Sequence, residues 1–111
     1  MHRTRQELLP FVGMSHQFIG AENGNVAMCS YLVNAPPGRG PVRHTHPYDK
    51  VVFVQEGRGR WFVEDQQLDV SPGDILVIKA GEVHTFVNNG DVSLKQMDVH
   101  LSPRFIQENL E

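Results

Sequence analysis

Gly38-x5-His44-Thr45-His46-x3-Lys50-x6-Gly57, followed by Gly73-x5-Lys79-x-Gly81-x2-His84-x3-Asn88, are the two stretches that decide the reading of this chain. Alternate residues of an extended strand point to one face. His44 and His46 therefore present both imidazoles to the same side, about 7 Å apart at ~3.3 Å rise per residue. His84, from a neighbouring strand, supplies a third imidazole and completes a facial set. Neutral imidazole is a strong ligand for first-row divalent metals, and three of them leave coordination positions open. The competing reading of the same residues is a metal-free pocket in which the histidines hold a ligand by hydrogen bonds.

Outward from these stretches the chain reads as short strands separated by turns. Val26 to Val33, Lys50 to Gln55, Arg60 to Glu64, Gln67 to Val70, Ile75 to Ile78, Val83 to Val87 and Val92 to Leu101 are rich in β-branched and aromatic residues. Glu56-Gly57, Ser71-Pro72-Gly73 and Asn88-Asn89-Gly90-Asp91 supply turn chemistry between them. Many short strands closed by Gly and Pro turns mean an all-β sandwich or barrel. Near the end, Ser102 and Pro103 are suited to cap and open a short C-terminal helix over about 103–110, with Phe105, Ile106 and Leu110 packing on the barrel or on a second subunit.

The two stretches resemble the paired motifs of the cupin family, G-x5-H-x-H-x3,4-E-x6-G and G-x5-P-x-G-x2-H-x3-N. Gly38, His44, His46, Gly57, Gly73, Gly81, His84 and Asn88 match, while Lys50 stands at the glutamate position and Lys79 at the proline position. The resemblance spans about residues 25–101 and implies a double-stranded β-helix, or jelly roll, with a single domain over 1–111. It implies His44, His46 and His84 as ligands of a divalent transition metal: iron, zinc, nickel or manganese. For function it leaves two classes open, because one fold hosts many activities. One is an enzyme, of dioxygenase or isomerase type, acting on a small molecule. The other is a non-catalytic module that binds or senses a small molecule, metal-free in its extreme form, with Lys50 pairing an anionic ligand.

Strand parity extends the site. If His44 and His46 face inward, so do Lys50, Val52 and Val54, while Asp49, Val51 and Phe53 face the other way. On the second motif strand Phe86 and Asn88 go with His84. The last strand has two registers. Placing Leu94, Gln96, Asp98 and His100 inward leaves Lys95 in solvent, whereas the opposite register buries that lysine at greater cost. The first is favoured, which adds an acid and a fourth imidazole near the cavity mouth; a surface or interface position is the alternative for His100. The expected pocket is Lys50, Val52, Val54, Phe86, Asn88, Gln96, Asp98 and His100.

Lys50 is the departure with chemical weight. A carboxylate at that position offsets metal charge; an ammonium ~5 Å from a divalent ion, at an effective dielectric of about 20, is repelled by roughly 6–7 kcal/mol. A charged Lys50 pressed against a metal is thus the least favourable arrangement. A neutral ligating amine, a head swung away along its long stem, or a metal-free site with Lys50 paired to an anion or to Asp98 all avoid that cost. Lys79 affects only local turn geometry.

Composition bounds the rest. A chain of 111 residues suits one core. Its formal net charge is -3 with Lys and Arg scattered among acids, which argues against nucleic acid or anionic membrane as partner. The one cysteine, Cys29, sits in an apolar run and reads as a small buried hydrophobe. No window approaches the ~20 apolar residues of a membrane span, and a cytoplasmic address is the expectation. Outward-facing Val51 and Phe53 leave apolar surface for a homodimer to cover.

Overall fold

The computed structural model describes residues 1–111. Its strands, in chain order, are β1 (Phe11–Val12), β2 (Ser15–Ile19), β3 (Cys29–Ala35), β4 (His44–Thr45), β5 (Lys50–Glu56), β6 (Gly59–Val63), β7 (Gln66–Val70), β8 (Ile75–Ile78), β9 (His84–Val87), β10 (Leu94–His100) and β11 (Glu108–Asn109). They form two antiparallel sheets, ordered β1-β2-β3-β10-β5-β8 and β11-β4-β9-β6-β7. This is the jelly roll the motifs imply. Between the sheets lies a core of Val33, Ala35, Val52, Val54, Trp61, Val70, Leu76, Ile78, Phe86 and Leu94. No helix is long and apolar enough to cross a membrane.

Period-two patterning explains the central strands. Along β5, Lys50, Val52 and Val54 are buried while Val51 and Phe53 are half-buried on the outer face. Along β10, Leu94, Gln96, Asp98 and His100 are buried, so the register that keeps Lys95 outside is the one adopted. Lys95 meets Glu56 at 3.4 Å on the outer surface. Cys29 is fully buried at the start of β3.

Two glycines do specific work at the motif ends. Gly57 takes φ +80 and its backbone packs against the carbonyl of Ser93, so a side chain there is excluded twice over. Gly40 lies so close to the carbonyl of Phe86 that a Cβ would collide with it. That approach holds the Gly38-to-Pro41 loop on β9. Gly38 N–H donates to Asn88 O at 2.8 Å, Asn88 N–H to Arg39 O at 2.9 Å, and Thr85 Oγ1 to Pro41 O at 2.6 Å.

The expected C-terminal helix over 103–110 is absent, and the tail is an extended strap that ends in β11. Its polar backbone groups are used across the sheet instead of along a helix: β11 pairs β4 with Glu108 opposite Thr45 and Asn109 opposite His44. Leu110 N–H donates to Arg43 O at 2.9 Å. Ser102 folds back on Arg104 in a tight local turn, with Oγ donating to Arg104 O at 2.7 Å, so it starts no helix. At the other end, β1 and β2 carry no clear strand signal in the sequence. The inward positions of β2, Ser15 and Gln17, are polar because they face a cavity, which hides the usual strand alternation.

Candidate metal centre

The first motif sets three imidazoles in one place. His44 stands on β4 directly opposite His84 on β9, and His46 follows one residue past the strand end. Their ring centroids lie 4.9 Å (His44 to His46), 4.3 Å (His44 to His84) and 5.2 Å (His46 to His84) apart. One nitrogen from each falls within 4.8 Å of the others. All three side chains are buried, at 2–3 % exposure.

The other nitrogen of each ring is anchored. His44 Nδ1 bonds Val42 O at 2.7 Å, His46 Nδ1 bonds Ile106 O at 2.7 Å, and His84 Nδ1 bonds Glu82 O at 2.9 Å. A carbonyl oxygen can only accept, so each Nδ1 carries the proton and each Nε2 carries a lone pair. The Nε2 atoms of His46 and His84 are buried with no partner in the protein. Buried acceptors left bare are costly unless something meets them, and an imidazole fixed through Nδ1 is how metal-ligating histidines are held. The residues fit a divalent metal.

Burial and charge keep these rings neutral. Desolvation lowers the His44 ring, and the Lys50 ammonium adds to the effect. His46 is held down to about 4 and His84 to about 3, with burial the larger cause in both and Lys50 contributing. Neutral rings are the ligand-competent form.

Lys50 itself is paired. Its Nζ lies 3.1 Å from Asp98 Oδ2, with both side chains 4 % exposed. The ammonium also sits 5.3 Å from the centroid of the Trp61 ring. Gln96 Nε2 donates to Asp98 Oδ1 at 3.0 Å, so both oxygens of that carboxylate have partners. From sequence, an Asp98 partner for Lys50 goes with a metal-free site; the structure has that partner together with three metal-competent imidazoles. The pair is net neutral, which offsets most of the repulsion a lone ammonium would direct at a metal.

The cavity beside the rings has a volume of about 380 Å³. Of the expected pocket residues, Lys50, Phe86, Asp98 and His100 line it. Val52, Val54, Asn88 and Gln96 are buried but stand off the wall. The two valines belong to the core, Gln96 braces Asp98, and Asn88 Nδ2 donates to Ala35 O and Val92 O, both at 2.8 Å, as a turn clamp. Inward parity puts a side chain between the sheets without saying how far along the strand the cavity extends. Lys79 lies away from the cavity and meets Asp49 Oδ2 at 2.8 Å.

Two aromatic neighbours of the histidines had no signal in the motifs. Tyr48 stacks on His46 with centroids 5.1 Å apart, and its hydroxyl lies 2.9 Å from His100 Nδ1. Phe105, from the strap, lies 4.6 Å from Tyr31 and 5.6 Å from His100, centroid to centroid. A Tyr two residues past the second histidine has inward parity, which was the available clue for Tyr48. Phe105 was hidden by the mistaken helix.

Known proteins agree with this architecture. A region of an HTH-type transcriptional activator RhaS from Mannheimia succiniciproducens is 32% identical over 62 residues, 56% of this chain and 23% of that protein. The chain thus spans about a quarter of that curated relative. Among solved structures, a cupin-like protein from Thermotoga maritima has a TM-score of 0.77 at 22% identity, covering 86% of this chain and 74% of that one. Bacillus subtilis oxalate decarboxylase, a protein with Mn(II) centres, has a TM-score of 0.81 at 17% identity, covering 90% of this chain and 29% of that one. At such identities the likeness is one of fold. The family pattern for the cupin domain matches residues 31–100, well over half of the chain, and the protein belongs to the cupin domain family.

Proposed function

We propose that this protein binds a divalent transition metal through His44, His46 and His84 and holds a small molecule in the adjoining cavity. The observation that carries the reading is the common anchoring of the three rings, each Nδ1 on a backbone carbonyl and each Nε2 free to ligate. A metal bound there supplies Lewis acidity, or a site for oxygen activation, at the floor of the cavity. The chain's own residues do the rest. Phe105 and Gln107 of the strap, the Lys50–Asp98 pair, and the apolar Phe86 and Val33 line the cavity, while Tyr48 backs His46 by stacking on its ring.

Two uses of that site follow. An enzyme of dioxygenase or isomerase type is one. A sensing module is the other, and the similarity to part of a transcriptional activator favours it. Either use calls for a small-molecule ligand, and neither involves nucleic acid contact by this domain. We also propose a homodimer. The outer face of the larger sheet carries Val51, Phe53, Ile75 and Val77 on paired strands, with Ile75 and Val77 62% and 60% exposed.

Calorimetric titration of the metal-free protein with zinc, ferrous, nickel and manganese ions tests the metal reading. One site per chain is expected, with loss of that site in His84→Ala and retention of β-sheet circular dichroism. Full binding by His84→Ala would contradict it.

A further inference from the structure

A fourth ring, His100, is held differently from the three just described. It stands on β10 with Lys50 as its cross-strand partner on β5, 1% exposed, and its centroid is 4.8 Å from that of His46. Its Nδ1 meets the Tyr48 hydroxyl at 2.9 Å, and a hydroxyl can donate or accept. The surroundings of Tyr48 decide which. Its oxygen already receives the N–H of Ile106 at 3.4 Å, and of its two protein partners only His100 Nδ1 can accept its proton. Donation from Tyr48 to Nδ1 satisfies the hydroxyl in both directions. The reverse leaves the hydroxyl proton without a protein acceptor in a half-buried site.

With Nδ1 accepting, the proton of a neutral His100 ring sits on Nε2. That nitrogen is buried and has no partner in the protein. A buried N–H without an acceptor is rare and costly, so the acceptor has to arrive with whatever fills the cavity that His100 lines.

We propose that His100 is a hydrogen-bond donor to the small-molecule ligand, through Nε2–H to a ligand oxygen, with Tyr48 as its positioning residue, and that it is not a fourth metal ligand. This rests on the metal-centred reading of the cavity. The ligand class it implies is an oxygen acceptor, and a carboxylate in preference to a neutral carbonyl. Arg39 lines the mouth of the same cavity and takes part in none of the chain's ion pairs, which leaves a free guanidinium for an anionic group.

The tautomers are directly measurable. In metal-free protein with 15N-labelled histidine, long-range proton–nitrogen correlation at neutral pH should show His44, His46 and His84 protonated at Nδ1 and His100 protonated at Nε2. In Tyr48→Phe the His100 ring should pass to a mixture of both forms. Protonation of His100 at Nδ1 in the unaltered protein overturns the proposal.

Zinc and acetate titrations separate this inference from the one it rests on. His100→Ala should keep the zinc site that His84→Ala loses, while acetate binding to the zinc-loaded protein falls about tenfold or more, and His100→Gln, which retains an N–H donor, should restore part of it. Loss of zinc in His100→Ala would make the ring a ligand and overturn the donor role with the metal reading intact. Absence of zinc binding in the unaltered protein removes the metal reading, and the tautomer result still decides the donor. Acetate affinity equal in the unaltered protein and His100→Ala, or no acetate binding at all, also overturns the proposal.

Discussion

At the scale of single residues, the exchange of a carboxylate for Lys50 is compensated one strand away. The buried partner is Asp98, 3.1 Å distant, and each is 4 % exposed. Removing either leaves an uncompensated buried charge, so Lys50→Met and Asp98→Asn should each lower unfolding free energy by about 3–5 kcal/mol. The double variant Lys50→Met with Asp98→Leu should recover most of that loss, and urea denaturation of the three proteins checks the pattern. Lys50→Glu should weaken the metal-free protein, because two carboxylates then share the site, and should raise affinity for divalent ions in titration. The imidazoles set an acid limit. Unfolded rings protonate near 6.5, whereas folded His46 and His84 resist until about 4 and about 3. Between those values the unfolded chain binds more protons, so metal-free protein is at full strength above pH 6.5 and loses stability as pH falls through the window. A urea midpoint lower at pH 5 than at pH 7.5 is the expected result; equal midpoints would contradict it. These residues were legible by spacing and parity, down to the inward register of Asp98 and His100. The Lys50–Asp98 pair was legible only as one of several arrangements, since alternation fixes a face and leaves the reach of a long lysine stem undetermined.

At the scale of elements, the strap from Ser102 onward is the part that ties chemistry to fold. Ile106 contributes backbone to two site residues, its carbonyl accepting from His46 Nδ1 at 2.7 Å and its N–H donating to Tyr48 at 3.4 Å. Deleting the chain after Ser102 should therefore leave the two sheets folded by circular dichroism while zinc affinity drops about 10–100-fold, the usual effect of losing the group that orients a ligating histidine. Unchanged affinity would mean that His46 needs no such anchor. Most strands were visible as β-branched runs between turns, with ends shifted by up to three residues. The strap was not. Its apolar residues have helix-compatible spacing, and what makes them extended is pairing with Arg43, His44 and Thr45 about sixty residues earlier. The strand β2 escaped for a related reason, because polar residues facing a cavity look the same in sequence as polar residues facing water.

At the scale of the whole molecule, two sheets enclose an apolar core, and Val33 and Phe86 of that core also line the histidine cavity beside it. The smaller sheet brings His44, His46 and His84; the larger brings Lys50, Asp98 and His100. The ligating set and the charged pair thus sit on opposite walls, and the cavity is where the two walls meet. The apolar outer face of the larger sheet predicts a dimer by sedimentation at micromolar concentration, with a monomer alone arguing against it. Anomalous diffraction at the absorption edge of a soaked or co-purified ion is the decisive measurement for the three-imidazole metal centre. One anomalous peak per chain is expected, bonded to Nε2 of His44, His46 and His84 at about 2.0–2.1 Å for zinc. A peak elsewhere, or no peak between those rings in metal-saturated protein, would contradict it.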